Sequence, residues 1–217
     1  MIEKLRTPVL VSTRSSKREL NKARRRLEIV QIAAICFLRD GYSATSMSAI
    51  ADRLGGSKTT LWSHFASKDA LFGAVVEHEV AKFVESFGYI VQSRPFSLQF
   101  VRDSASHFLS CLVQRRSVQL FRLLLTEGER FPDIAHRFYE AGPNAIRQRM
   151  RLVLERGLDD RSAEDITEVM FSAIIGYRSD LLMRPCKPAS TDHGAFLDRL
   201  MAMVAWRIAA GQASLPA

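Results

Sequence analysis

Apolar side chains along the 217-residue chain return at three- and four-residue intervals, and nowhere alternate with polar ones over the length of a strand. Ile29, Val30, Ala33, Ala34, Phe37 and Leu38 make one such face, which predicts a helix from about Asn21 to Arg39 that Gly41 stops. Two short helical patterns follow, Ser46 to Leu54 and Ser57 to Phe65, with the pair Gly55-Gly56 between them. Ile50, Ala51 and Leu54 share a face in the first, Leu61 and Phe65 in the second, so both can pack on Phe37. Ser46 and Ser57 stand where a hydroxyl accepts from the orphan N–H groups of a helix start, and paired glycines tolerate a sharp turn. This is the grammar of a helix-turn-helix.

A long helix is predicted from Ser67-Lys68-Asp69 to about Gln92, followed by helices over Pro95 to Arg116, Ser117 to Arg130 and Pro132 to Ala141. Gly142-Pro143 opens another. Ser162-Ala163-Glu164-Asp165 has the acidic first turn of a helix start, with Ile166, Met170, Ile174 and Leu181 down one side after it. The last helix is placed from Thr191 to Ala210. The fold class is therefore all-α with nine or ten helices, a three-helix amino-terminal domain and a larger carboxy-terminal bundle. The boundaries are a flexible basic arm at 1–20, the helix-turn-helix domain at 21–67 and the bundle at 68–217. Charged or polar residues interrupt every apolar run before the roughly 20 residues that a membrane-spanning helix needs.

Charge changes the picture by its position. The formal net charge is +8, yet residues 1–70 carry 13 Lys and Arg against 6 Asp and Glu, while the remainder carries 18 against 17. A basic front end suits a polyanion, although charge alone leaves a solvated tail or a membrane surface equally open. Met1 to Val11 lacks the apolar stretch and cleavage pattern of a secretory signal, so a cytoplasmic location is expected. Cys36, Cys111 and Cys186 are widely spaced and read as reduced thiols. His78, His107 and His136 sit on separate segments without ligand spacing. With no glycine-rich phosphate loop and no acid/base or nucleophile constellation, neither a metal, a cofactor nor an enzymatic activity is expected.

Spacing alone would fit any helical pair in a bundle. The order of residues is more specific: Ile29-Val30-Gln31-Ile32-Ala33-Ala34, Phe37, Gly41-Tyr42, Thr45-Ser46, Ile50-Ala51, Leu54-Gly55, Ser57 to Phe65 and Ser67-Lys68-Asp69-Ala70-Leu71. Over about residues 25–75 this resembles the amino-terminal domain of TetR/AcrR regulators. The resemblance implies a second helix that enters the major groove, with Ser48, Lys58, Thr59 and Thr60 toward bases and Ser46, Trp62, His64 and Lys68 toward phosphates. The sequence departs from that family at Thr59, where glycine is common, at Trp62, where tyrosine is common, and at Gly56, where valine is usual. Trp62 and His64 could equally be core residues. Basic residues of the arm, Arg14, Lys17, Arg18, Lys22, Arg24, Arg25 and Arg26, could follow phosphates or reach a minor groove.

Farther on, Val118 to Asp133 and Phe138 to Pro143 resemble AefR-like and AcrR-like regulators. This implies an effector domain and a homodimer formed through the last two long helices. The dimer face is placed on Ile166, Met170, Ile174, Tyr177, Phe196, Leu200, Met203 and Val204. A pocket for a small hydrophobic effector is placed among Phe108, Cys111, Leu112, Phe121, Leu124 and Phe138, which could also be ordinary core. The expected function is a repressor that binds a palindromic double-stranded DNA operator as a dimer, has no membrane partner, and is released by its ligand. The competing readings are a helical small-molecule-binding protein or enzyme with a vestigial helix-turn-helix, and a basic membrane-surface protein.

Overall fold

The computed structural model describes residues 13–55, 58–91, 95–184 and 193–213. Gly56, Ser57, Cys186 and residues 1–12 lie outside them, and with them the cap expected at Ser57 and the first part of the arm. All the regular structure among the described residues is helical. The chain divides into two compact units at Val75/Val76.

The first unit holds α1 (Thr13–Ala44), α2 (Met47–Leu54), α3 (Lys58–His64) and the opening turns of α4 (Lys68–Val91). Helix α1 begins well before Asn21, so the arm expected to be flexible is helical from Thr13 onward. Absence of an apolar period suggested the arm, but a solvent-exposed helix needs none. No Gly or Pro interrupts residues 13–40, and Arg, Lys, Glu and Leu are good helix formers. Gly41 breaks the helical geometry with φ 83° and ψ 169°, a left-handed φ that costs a glycine little. The following turn is held by Thr45, whose buried hydroxyl donates to the Gly41 carbonyl at 2.7 Å. Tyr42 thereby lies against Phe37, ring centroids 5.8 Å apart, and both meet Phe72 of α4 edge-on at 5.1 and 5.5 Å.

The second unit contains the rest of α4, then α5 (Leu98–Leu112), α6 (Arg115–Glu127), α7 (Pro132–Tyr139), a π-turn (Glu140–Asn144), α8 (Ala145–Leu154), α9 (Asp160–Met183) and α10 (Gly194–Ala213). Helix α5 starts at Leu98 because Ser97 caps it, accepting from the Phe100 N–H at 3.1 Å, and it ends at Leu112 rather than Arg116. Gly142-Pro143 does not open a new helix. Pro143 lacks an N–H, and the wider π-turn carries the chain from α7 into α8 around that gap. Helix α9 is capped by Asp159, which accepts from the Ser162 N–H at 3.0 Å, so its start precedes the expected one.

Phe87, Phe108, Leu109, Ile146, Met170 and Ile174 are the centre of this unit's core. Ile166, Met170, Ile174, Leu200 and Val204, expected on a face between two copies, are buried within this one chain. Tyr177 and Phe196 stack on each other at 4.0 Å. Of the residues assigned to that face, Met203 is the one that is exposed, at 63%. A helical stripe predicts burial, and here α5, α9 and α10 of the same chain supply the cover.

Candidate nucleic-acid interface and an apolar cavity

Helix α2 presents a surface because its opposite face is fixed. Met47, Ile50, Ala51 and Leu54 are buried, leaving Ser46 and Ser48 in solvent. Ser46 caps the helix, its hydroxyl oxygen accepting from the Ala49 N–H at 3.1 Å. Gly55 ends it in the left-handed region, φ 64°, as a helix C-terminus of this type requires.

Helix α3 is seven residues long and too short to be stable alone, so its position depends on what it buries. Leu61 is 1% exposed, and Phe65, just past the helix end, is 3% exposed under the Arg26 guanidinium at 4.5 Å. With those two inward, Lys58 and Thr59 are exposed, Thr60 and His64 are half-buried, and Trp62 is 51% exposed. Trp62 is therefore a surface residue, which removes the core alternative for it.

The next helix start completes this surface. Ser67 caps α4, accepting from the Ala70 N–H at 3.0 Å, and Lys68 places its ammonium over the Tyr42 ring, 4.1 Å from its centroid. The Tyr42 hydroxyl donates to Asp69, tying α4 to the turn after α1. Around this unit Lys17, Arg18, Lys22, Arg24 and Arg26 are exposed along α1. The result is a hydroxyl-, ammonium- and indole-bearing face on a packed three-helix support. It can donate hydrogen bonds and carries positive charge.

In the second unit a cavity of about 530 Å³ opens among α4 to α9. Phe108, Cys111, Leu112, Phe121 and Phe138 line it as expected from sequence, whereas Leu124 is buried away from it. Phe108 organises the wall, stacking on Phe171 at 5.6 Å and meeting Phe83 edge-on at 6.3 Å. Sequence reasoning missed four charged lining residues, Glu79, Lys82, Arg116 and Arg178. Glu79 is buried and accepts from both Nε and an Nη of Arg116, and that hydrogen bonding raises the Arg116 pKa. Arg178 is 5% exposed with its guanidinium 3.8 Å from the Phe121 centroid, and burial lowers its pKa. The missed signal was spacing: residue 178 continues the four-residue stripe Ile166, Met170, Ile174, so a charge there is a charge facing inward. Cys36 and Cys111 are both free and buried.

Comparison with known proteins agrees with both units. Residues 29–75 match the family model for bacterial regulatory proteins of the tetR family, and residues 99–164 match that of the AefR-like transcriptional repressor C-terminal domain. The transcriptional activator FasR of Mycolicibacterium smegmatis is 33% identical over 89 residues, a match spanning 41% of this chain and 41% of FasR. A crystal structure described as a TetR-family transcriptional regulator from Mesorhizobium loti superposes with a TM-score of 0.72 at 24% identity, covering 87% of this chain and 97% of that one. The flavonoid-responsive regulator FrrA gives a TM-score of 0.67 at 28% identity, with the same coverage. The two family matches together take in more than half of the 217 residues, in the order the sequence motifs require, and the chain belongs to the TetR family of bacterial regulatory proteins.

Proposed function

We propose that the chain is a sequence-specific DNA-binding transcriptional regulator, acting as a dimer on a palindromic operator and as a repressor released by a small apolar effector. The observation that carries this reading is the outward face of α3 and its flanks, held by Leu61 and Phe65. Lys58, Thr59, Thr60 and Ser48 supply donors and acceptors for base edges in the major groove. Ser46, Trp62, His64 and Lys68 supply hydroxyl, indole and cationic groups for the phosphates on either side.

A second copy fits the outer surface of α9 and α10. Val169, Met203 and Trp206 are exposed there at 55%, 63% and 72%, around a groove that Ile166, Leu200 and Val204 floor. Large apolar side chains clustered in solvent favour association, and a two-fold pairing through them would set two reading helices about 34–36 Å apart. The cavity of the second unit supports an effector, and FrrA, a similar regulator, is flavonoid-responsive. Helix α4 takes part in both units, with Phe72 in the core of the first and Val80 and Phe83 lining the cavity of the second. The matched AefR-like repressor domain supports repression.

The test is selection from a random duplex library by the full chain over a range of salt, with sequencing of the bound pool. An enriched inverted repeat is the expected outcome. Binding that is salt-sensitive and without sequence preference would overturn the operator reading.

A further inference from the structure

The effector cavity contains a charge that the protein itself does not neutralise. Arg178 lies on α9, is 5% exposed and lines the cavity, yet among the described residues its guanidinium meets no carboxylate and lies over the face of Phe121. Its buried Nε has no hydrogen-bond acceptor. A guanidinium cannot shed its proton at ordinary pH, and a ring face satisfies its flat surface while leaving the in-plane N–H donors unmatched. Taking such a charge out of water is costly unless an anion meets it.

The neighbouring charges offer no remedy. Both oxygens of Glu79 are engaged by Arg116, and Lys82, the remaining charged lining residue, is exposed and adds a further positive charge. The rest of the wall is mostly apolar, with Val80, Phe83, Phe108, Leu120, Ile146 and Phe171.

We propose that the ligand of this cavity is an amphipathic organic anion, its carboxylate or sulfonate paired with Arg178 and its apolar body held among the phenylalanines. This rests on the effector-cavity reading above and narrows it to one chemical class. A carboxylate, or two oxygens of a sulfonate, accepts two N–H bonds from a guanidinium edge at once, an arrangement that an alcohol or an amine cannot reproduce. Burying a carboxylate costs more than burying a hydroxyl on the same chain, so a preference for the acid over the alcohol requires a matched cation.

The experiment uses two dyes that share one aromatic body. 1-Anilinonaphthalene-8-sulfonate carries an acid group and N-phenyl-1-naphthylamine does not, and both brighten in apolar surroundings. Each is titrated into the full chain and into Arg178→Met and Arg178→Lys. The expected result is a loss of about tenfold or more in sulfonate affinity for Arg178→Met, partial retention for Arg178→Lys, and an essentially unchanged neutral dye. A second measurement needs no variant: decanoate should displace the neutral dye from the wild-type chain at a concentration about tenfold or more below that of 1-decanol. Equal sulfonate binding by wild type and Arg178→Met, or displacement by decanol as readily as by decanoate, overturns the anion assignment and leaves the effector cavity standing. Failure of both dyes to bind the wild-type chain overturns the cavity reading, and the anion assignment with it.

Discussion

Leu61 and Trp62 are neighbours on α3, one buried and one exposed, and exchanging each for alanine separates support of the helix from the proposed contact with DNA. Leu61 is 1% exposed and is the one buried residue of this seven-residue helix. Leu61→Ala removes three buried carbons and leaves a void beneath the helix, a loss of about 3 kcal/mol. For a domain of this size each kcal/mol is about 4–8 °C of melting temperature, so the first unit should melt about 12–24 °C lower. Trp62 is 51% exposed, and Trp62→Ala should change stability by about 1 kcal/mol or less. Its indole N–H is a donor with about 1 kcal/mol to offer a phosphate in each half-site, about 2 across a dimer and about thirtyfold in Kd. Calorimetric melting and fluorescence anisotropy on the selected duplex read the two effects. A Leu61→Ala chain that melts like the wild type, or a Trp62→Ala chain that is strongly destabilised yet keeps full DNA affinity, would refute this division between support and contact.

Two further substitutions probe the second unit. Burial holds the His78 pKa below its ordinary 6.5, so the unfolded chain binds the proton more readily than the folded one. Stability from this group is complete above about pH 6.5 and declines as pH falls toward the lowered folded value; urea unfolding at pH 7.5, 6.5 and 5.5 should show that slope reduced in His78→Gln. Trp206→Glu places a charge in the groove between α9 and α10, and sedimentation should show a monomer whose DNA affinity has collapsed. A dimer of unchanged stability would remove this face from the assembly.

Much of this molecule was legible in its sequence, and the exceptions share a cause. The short helices α2 and α3 were readable because Ser46, Gly55, Leu61 and Phe65 each satisfy a local rule of capping, turning or periodicity. Such rules report that a residue is buried and say nothing of what buries it. Ile166, Met170, Ile174, Leu200 and Val204 are accordingly inward-facing, but they face their own chain. The outward-facing Val169 and Trp206 carry no periodic signal, because an exposed apolar residue breaks the pattern rather than making it. The early start of α1 went unseen for a related reason: its first turns are polar all round. Arg178 and Glu79 are the least legible of the cavity residues. Each occupies a position that the apolar stripes reserve for the interior, and a charge at such a position is the sequence mark of a pair or a ligand.

The claim on which the account depends is that the exposed side chains of α3 read base pairs, and its most direct test is duplex selection repeated with Lys58→Ala and Thr59→Ala. Each variant should still fold and select an inverted repeat, with base preference relaxed at the same position in both half-sites. A consensus identical to that of the wild type in both variants would contradict the claim.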